Sequence, residues 1–244
     1  MNELYNEWRS FLNEGRGRSL EKVTTFISRE IVYALKDEGV RSAFLKTEPV
    51  TFYLTQEFTE VEWLRSVIVS LSSNEEHVYT HANYEYDLGA TDEQRKNSDM
   101  NVNIVIPRNY DNSVLSELIP DLKDSIRHEL EHSIQSTEML TVVVDELSDG
   151  EIWKSLGTAK NYYTSEAETK AHVAGLYKKA KILREPFGEV LDRFLAEVWQ
   201  TGMYHRYPEE KLDNLVLHIR ELYRHYAASR YPNVEIDWEN GESE

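Results

Sequence analysis

The spacing of hydrophobic and polar residues divides the chain into a helical N-terminal part, a central part rich in strands and a helical C-terminal part. Asn2–Asn13 and a second segment from Ser19 to about Gly39 carry apolar residues at helical spacing, and Ser19 is suited to cap the second helix. Four central segments are rich in β-branched and aromatic residues and predict strands: Val50–Thr55, Ser66–Ser72, His77–Tyr86 and Asn101–Pro107.

The helical pattern returns after Asp111 and continues to about Tyr226, interrupted by a predicted connecting region that contains the short β-branched run Thr141–Val144 and ends near Tyr163. Pro120 predicts a break between the two helices on either side of it, Ser113–Ile119 and Asp121–Gln135, because proline removes a backbone hydrogen bond. The predicted C-terminal helices are Ser113–Ile119, Asp121–Gln135, Ser165–Leu183, Pro186–Trp199 and Glu209–Tyr226.

This order of elements predicts an α+β fold with a small mixed or antiparallel sheet, since neighbouring strands precede the helices instead of alternating with them. We expect a single domain over residues 1–244. Its predicted parts are N-terminal helices in residues 1–40, mainly strands in 50–110, the helices of a candidate site in 111–183 and C-terminal helices in 186–230.

Composition narrows the classes of function. The 244 residues are 40% hydrophobic and carry a formal net charge of −17, which is typical of a globular protein and argues against nucleic acid or an anionic membrane as a partner. The chain has no cysteine, which excludes disulfides, thiolate zinc ligands and thiol nucleophiles. It shows neither a signal peptide nor an apolar run long enough to span a bilayer, so we expect a cytoplasmic protein.

The segment His128-Glu129-Leu130-Glu131-His132 carries the candidate chemistry. On a helix His128 and His132 lie about 40° apart, so both imidazoles can reach one metal ion. Glu129 lies on the flank of that face, where its carboxylate can act as a general base without being a ligand. Opposite the histidines, the apolar side chains form one stripe: Leu122, Ile126, Leu130 and Ile134.

A catalytic zinc site takes three protein ligands and keeps one position open, so a third ligand is expected. On a helix that begins near Ser165, Glu168 shares a face with the small residues Ala171 and Gly175, which would allow a close approach to the histidine helix. Glu166 or His172 are the alternatives. Ser165 and Glu168 also fit a capping box, in which Glu168 would have a purely structural role.

Two motifs together resemble the gluzincin branch of the zincin metallopeptidases: His128-Glu129-x-x-His132 and the later Glu168-x-x-Ala171. It also looks like uncharacterised metallopeptidases of tailed bacteriophages, which would place the protein in a host cytoplasm or a virion. The resemblance implies one zinc ion per chain, held by His128, His132 and Glu168, and hydrolysis of a peptide or protein substrate with Glu129 as the base. It further implies an edge strand for extended substrate, and Asn101–Pro107 is the predicted strand.

Two other hypotheses stay open at this stage. The protein could be a non-enzymatic zincin-like binding or virion-associated protein with a structural metal, or the histidine motif could be coincidental. The donor that would stabilise a reaction oxyanion is suggested only by residue type: Tyr162, Tyr163 and His205. The oligomeric state is not predicted.

Overall fold

The computed structural model describes residues 20–47, 49–54, 64–74, 78–84, 98–135 and 149–231. The predicted helix Asn2–Asn13 and the predicted cap Ser19 lie outside these residues. The chain divides into two compact units, Met1–Ile134 and Gln135–Glu244. The prediction of a single domain stays a prediction.

The N-terminal unit contains helices and a sheet. In chain order its described elements are helix α1 (residues 20–36), α2 (Glu38–Lys46), strands β1 (Val50–Leu54), β2 (Leu64–Ser73), β3 (Tyr79–Tyr84) and β4 (Ser98–Ile106), and helix α3 (Asn112–Ser133). The described strands lie in the order β1-β2-β4-β3. The β2–β4 pair is parallel and the other two pairs are antiparallel. The predicted α+β fold with a mixed sheet is therefore confirmed.

The prediction that Asn101–Pro107 forms an edge strand is wrong. Strand β4, which contains most of this segment, lies between β2 and β3, and β3 is at the edge of the described sheet. Met100, Val102, Ile104 and Ile106 of β4 are completely buried, as expected for a strand covered on both sides by neighbours. Strand β3 pairs with the outer side of β4, and this pairing cannot be read from the order of strands along the chain.

Helix α3 is continuous through Pro120, so the predicted break is also wrong. The helix begins after Asp111, whose carboxylate accepts the backbone N–H groups of Ser113 and Val114 at 2.8 and 3.2 Å. Proline inside a helix costs about 3 kcal/mol. Buried leucines lie on either side of Pro120, at Leu118 and Leu122, and the packing of this continuous apolar face outweighs that cost.

The C-terminal unit is helical in its described part. Its helices are α4 (Asp149–Ile152), α5 (Leu156–Thr164), α6 (Glu166–Leu183), α7 (Phe187–Tyr204) and α8 (Glu209–Arg230). The predicted helix start near Ser165 is confirmed, because Ser165 is the N-cap of α6. The helices of this unit pack around a hydrophobic core. Its buried residues include Trp153, Leu191, Leu212 and Tyr223.

Within the described part of the chain, no helix combines the length and the apolar composition needed to cross a lipid bilayer.

Candidate metal centre

Helix α3 brings the two histidines of the motif together. The Nε2 atoms of His128 and His132 lie 3.0 Å apart, and the rings meet edge-on with centroids 4.7 Å apart. The opposite face of the helix packs in the core, where Leu122, Ile126 and Leu130 are completely buried. Because this apolar face fixes the rotation of the helix, the position of the imidazole pair is fixed as well.

This pair suits a divalent metal of the zinc type. With zinc–nitrogen distances of about 2.0–2.1 Å and tetrahedral angles, two coordinated nitrogens lie about 3.3 Å apart. The observed 3.0 Å between the Nε2 atoms is close to that spacing. His132 is buried and the side chain of His128 keeps 13% of its surface exposed, so the pair has limited access to water.

Glu129 is held beside the histidines by the edge strand. Its Oε2 atom accepts the backbone N–H of Tyr84, the last residue of β3, at 2.9 Å. Its Oε1 atom lies 3.8 Å from Nε2 of His128. One oxygen is thus anchored while the other lies near the imidazole pair, an arrangement suited to a base next to a metal. The sequence offered no signal for the contact with Tyr84, because it joins residues 45 positions apart.

A buried ion pair lies on the other flank of the motif. Arg127 Nη1 and Glu131 Oε2 are 2.6 Å apart, and their side chains are only 5% and 9% exposed. By helical geometry both residues lie on the side of the histidine face away from Glu129. Because each charge offsets the other, Glu131, the second glutamate of the motif, is committed to Arg127. The i,i+4 spacing of Arg127 and Glu131 is visible in the sequence, but the burial of the pair is not.

Glu168 occupies the third position of α6 and is 4% exposed. The hydroxyl oxygen of Ser165 accepts the backbone N–H of Glu168 at 3.2 Å, which is half of a capping box. In the other half, the carboxylate of Glu168 would accept the N–H of Ser165, but that N–H donates to the carbonyl of Tyr162 at 3.2 Å. Capping therefore uses the backbone of Glu168 and does not explain its buried carboxylate.

Glu166 has a different environment. Its side chain is 71% exposed and lies 2.5 Å from the ammonium of Lys170, one turn along α6. An exposed glutamate in an i,i+4 pair is an ordinary feature of a helix surface. Glu166 is therefore a natural control for Glu168.

The three predicted ligands come from both units of the chain, because His128 and His132 belong to the first unit and Glu168 to the second. A metal site shared by these three residues is therefore a proposal. Gln135, three residues after His132, donates its side-chain N–H to the carbonyl of Ala167 at 3.0 Å. This buried hydrogen bond secures the residue that precedes Glu168.

Ring contacts describe the surroundings of the three residues suggested as oxyanion donors. The rings of Tyr162 and Tyr163 pack near His172, with centroid distances of 6.2 and 5.8 Å. His205 stacks on Trp153 at 6.0 Å. These contacts do not assign an oxyanion donor, so the role remains a prediction for each of the three.

Comparison of the chain with protein-family models, with curated proteins and with solved structures finds no match. The case for a metal centre therefore depends on the residues and their geometry alone.

Proposed function

We propose that the protein is a zinc-dependent hydrolase, most simply a metallopeptidase, with His128, His132 and Glu168 as the metal ligands. The observation that carries the proposal is the pair of Nε2 atoms 3.0 Å apart, with an anchored carboxylate beside them. Two imidazoles and one carboxylate are a ligand set common in catalytic zinc sites. Zinc bound there would act as a Lewis acid that polarises a carbonyl and makes water more acidic.

The residues of the chain supply the remaining parts of the reaction. The Oε1 atom of Glu129 is positioned to take a proton from an attacking water and to pass it to the leaving amine. The N–H of Tyr84 fixes the other oxygen and so limits rotation of the carboxylate.

The number of ligands favours catalysis over a structural metal. Structural zinc sites are closed by four protein ligands, whereas catalytic sites have three and an open position. The proposed set has three protein ligands: His128, His132 and Glu168. This difference supports the enzyme over a binding or virion-associated protein that keeps a metal for stability.

The family and the substrate belong to the same proposal. The helical His128-Glu129-x-x-His132 motif and Glu168 on a second helix support membership of the gluzincin-like zincins, with the bacteriophage proteins as candidate relatives. We infer a peptide or protein substrate, and the described edge strand that would lie next to it is β3 instead of β4.

Two measurements on the purified, untagged protein test the proposal. Elemental analysis should find about one zinc per chain, and a complex peptide mixture analysed by mass spectrometry should show new cleavage products. Glu129→Gln should keep the zinc and lose nearly all cleavage, because an amide cannot accept the proton of water. A chain that takes up no zinc on titration would refute the metal centre. Undiminished cleavage by the Gln variant would show that Glu129 is not the base.

A further inference from the structure

We propose that His172 is a positioning residue that holds the carboxylate of Glu168 in the orientation needed for metal binding. This inference depends on the zinc site proposed above. Residues that orient metal ligands strongly influence metal affinity, and their loss typically weakens it 10- to 100-fold.

The first support is the placement of the two side chains on α6. His172 follows Glu168 by four residues, and its Nε2 atom lies 3.5 Å from Oε2 of Glu168. The two side chains are 16% and 5% exposed, so water screens their interaction weakly. The distance exceeds that of a normal hydrogen bond by about 0.5 Å, which a small side-chain rotation would remove.

The second support is the aromatic environment of the imidazole. Rings from three helices surround His172, with centroid distances of 4.9 Å to Phe194, 5.8 Å to Tyr163 and 5.9 Å to Tyr223. The ring of Tyr223 is nearly parallel to the imidazole, at 25°. Such packing restricts the rotation of the imidazole, so its Nε2 atom is presented to Glu168 in a defined position.

The third support is the chemistry of the neighbouring tyrosine. The hydroxyl of Tyr223 donates to the backbone carbonyl of Tyr163 at 3.1 Å. Tyr223 therefore gives its proton to the backbone, whereas the imidazole of His172 faces the carboxylate directly.

Two other roles for His172 must be separated from positioning. The imidazole could be a metal ligand itself, or it could serve only to fill the aromatic core. A variant with an apolar ring of similar size preserves packing and removes the N–H donor, whereas a glutamine preserves a donor. Removing Glu168 shows whether the effect of His172 acts through that carboxylate.

The experiment compares wild type, His172→Phe, His172→Gln, Glu168→Ala and the double variant His172→Phe/Glu168→Ala. Zinc affinity is measured by competition with a chromogenic chelator, and thermal melts of the metal-free proteins report folding. We expect His172→Phe to bind zinc 10- to 100-fold more weakly with a melting temperature close to wild type. His172→Gln should recover part of the affinity. The double variant should bind zinc as Glu168→Ala does.

Three results would overturn the inference. Wild-type affinity in His172→Phe would show that the imidazole only packs, and an equal loss in the Glu168→Ala background would show that it acts independently of Glu168. A wild-type protein that binds no zinc would refute the proposed function itself, and this inference with it. If the phenylalanine variant does not fold, His172→Met provides a flexible apolar replacement for the same comparison.

Discussion

Replacing Glu168 by alanine, with Glu166→Ala as the matched control, tests the third ligand most directly. The two glutamates lie two residues apart on α6, but one is buried and the other is exposed and paired with Lys170. Both variants keep the N-cap, because Ser165 accepts the backbone N–H of Glu168 and not its side chain. Any difference in metal binding should therefore reflect the carboxylates alone.

The expected size of the effect follows from the role of the ligand. Loss of a group that merely orients a ligand weakens metal binding 10- to 100-fold, so loss of the ligand should weaken it at least about 100-fold, or about 2.7 kcal/mol. At a zinc concentration 100 times the wild-type Kd, zinc stabilises the wild type by about 2.7 kcal/mol and Glu168→Ala by about 0.4 kcal/mol. That gap corresponds to a difference in Tm shift of about 5–9 °C for a chain of this size.

Chelator competition gives the zinc affinities, and thermal melts with and without zinc give the stabilisation. Glu166→Ala should match the wild type in both, since its loss removes only an exposed ion pair. If Glu166→Ala lost zinc while Glu168→Ala retained it, the assignment of the ligand and the geometry behind it would be refuted. A loss of apo stability in Glu168→Ala with unchanged zinc affinity would instead identify a structural glutamate.

Two further predictions concern stability. The guanidinium of Arg65 holds the pKa of Asp99 below its usual value, with a further hydrogen bond from Ser66, so the stability that ionised Asp99 contributes should be lost as pH falls below about 4. Acid denaturation should therefore be less steep in Asp99→Asn, and an identical acid profile would contradict this. Gly202→Ala should destabilise the chain by about 1–3 kcal/mol in urea titrations, because the added Cβ would clash with the side chains of Leu212 and Trp153. Wild-type stability of this variant would show that the core adapts freely.

The sequence alone determined much of the local structure. Helical spacing identified the histidine helix and its apolar face, which is fully buried at Leu122, Ile126 and Leu130. The start of α6 at Ser165 was also predicted, because a serine N-cap is a local signal. The motif itself located the candidate chemistry, since a spacing of four places two side chains on one face of any helix.

Other features of the fold depend on tertiary packing and are not encoded in local sequence patterns. Proline predicts a helix break, yet the packing of Leu118 and Leu122 keeps α3 continuous through Pro120. The pairing of β3 outside β4 makes β3 the edge of the described sheet, and strand order along the chain does not specify such pairing.

The same division applies to the candidate site. The sequence named Glu129 as a base and Glu168 as a ligand, and both assignments remain predictions for experiment. The N–H of Tyr84 that anchors Glu129 and the aromatic rings around His172 were not foreseen. The contact of Tyr84 with Glu129 and the contacts of His172 with Phe194 and Tyr223 join residues far apart in the chain. Such long-range contacts depend on packing, whereas a spacing of four residues depends only on the geometry of a helix.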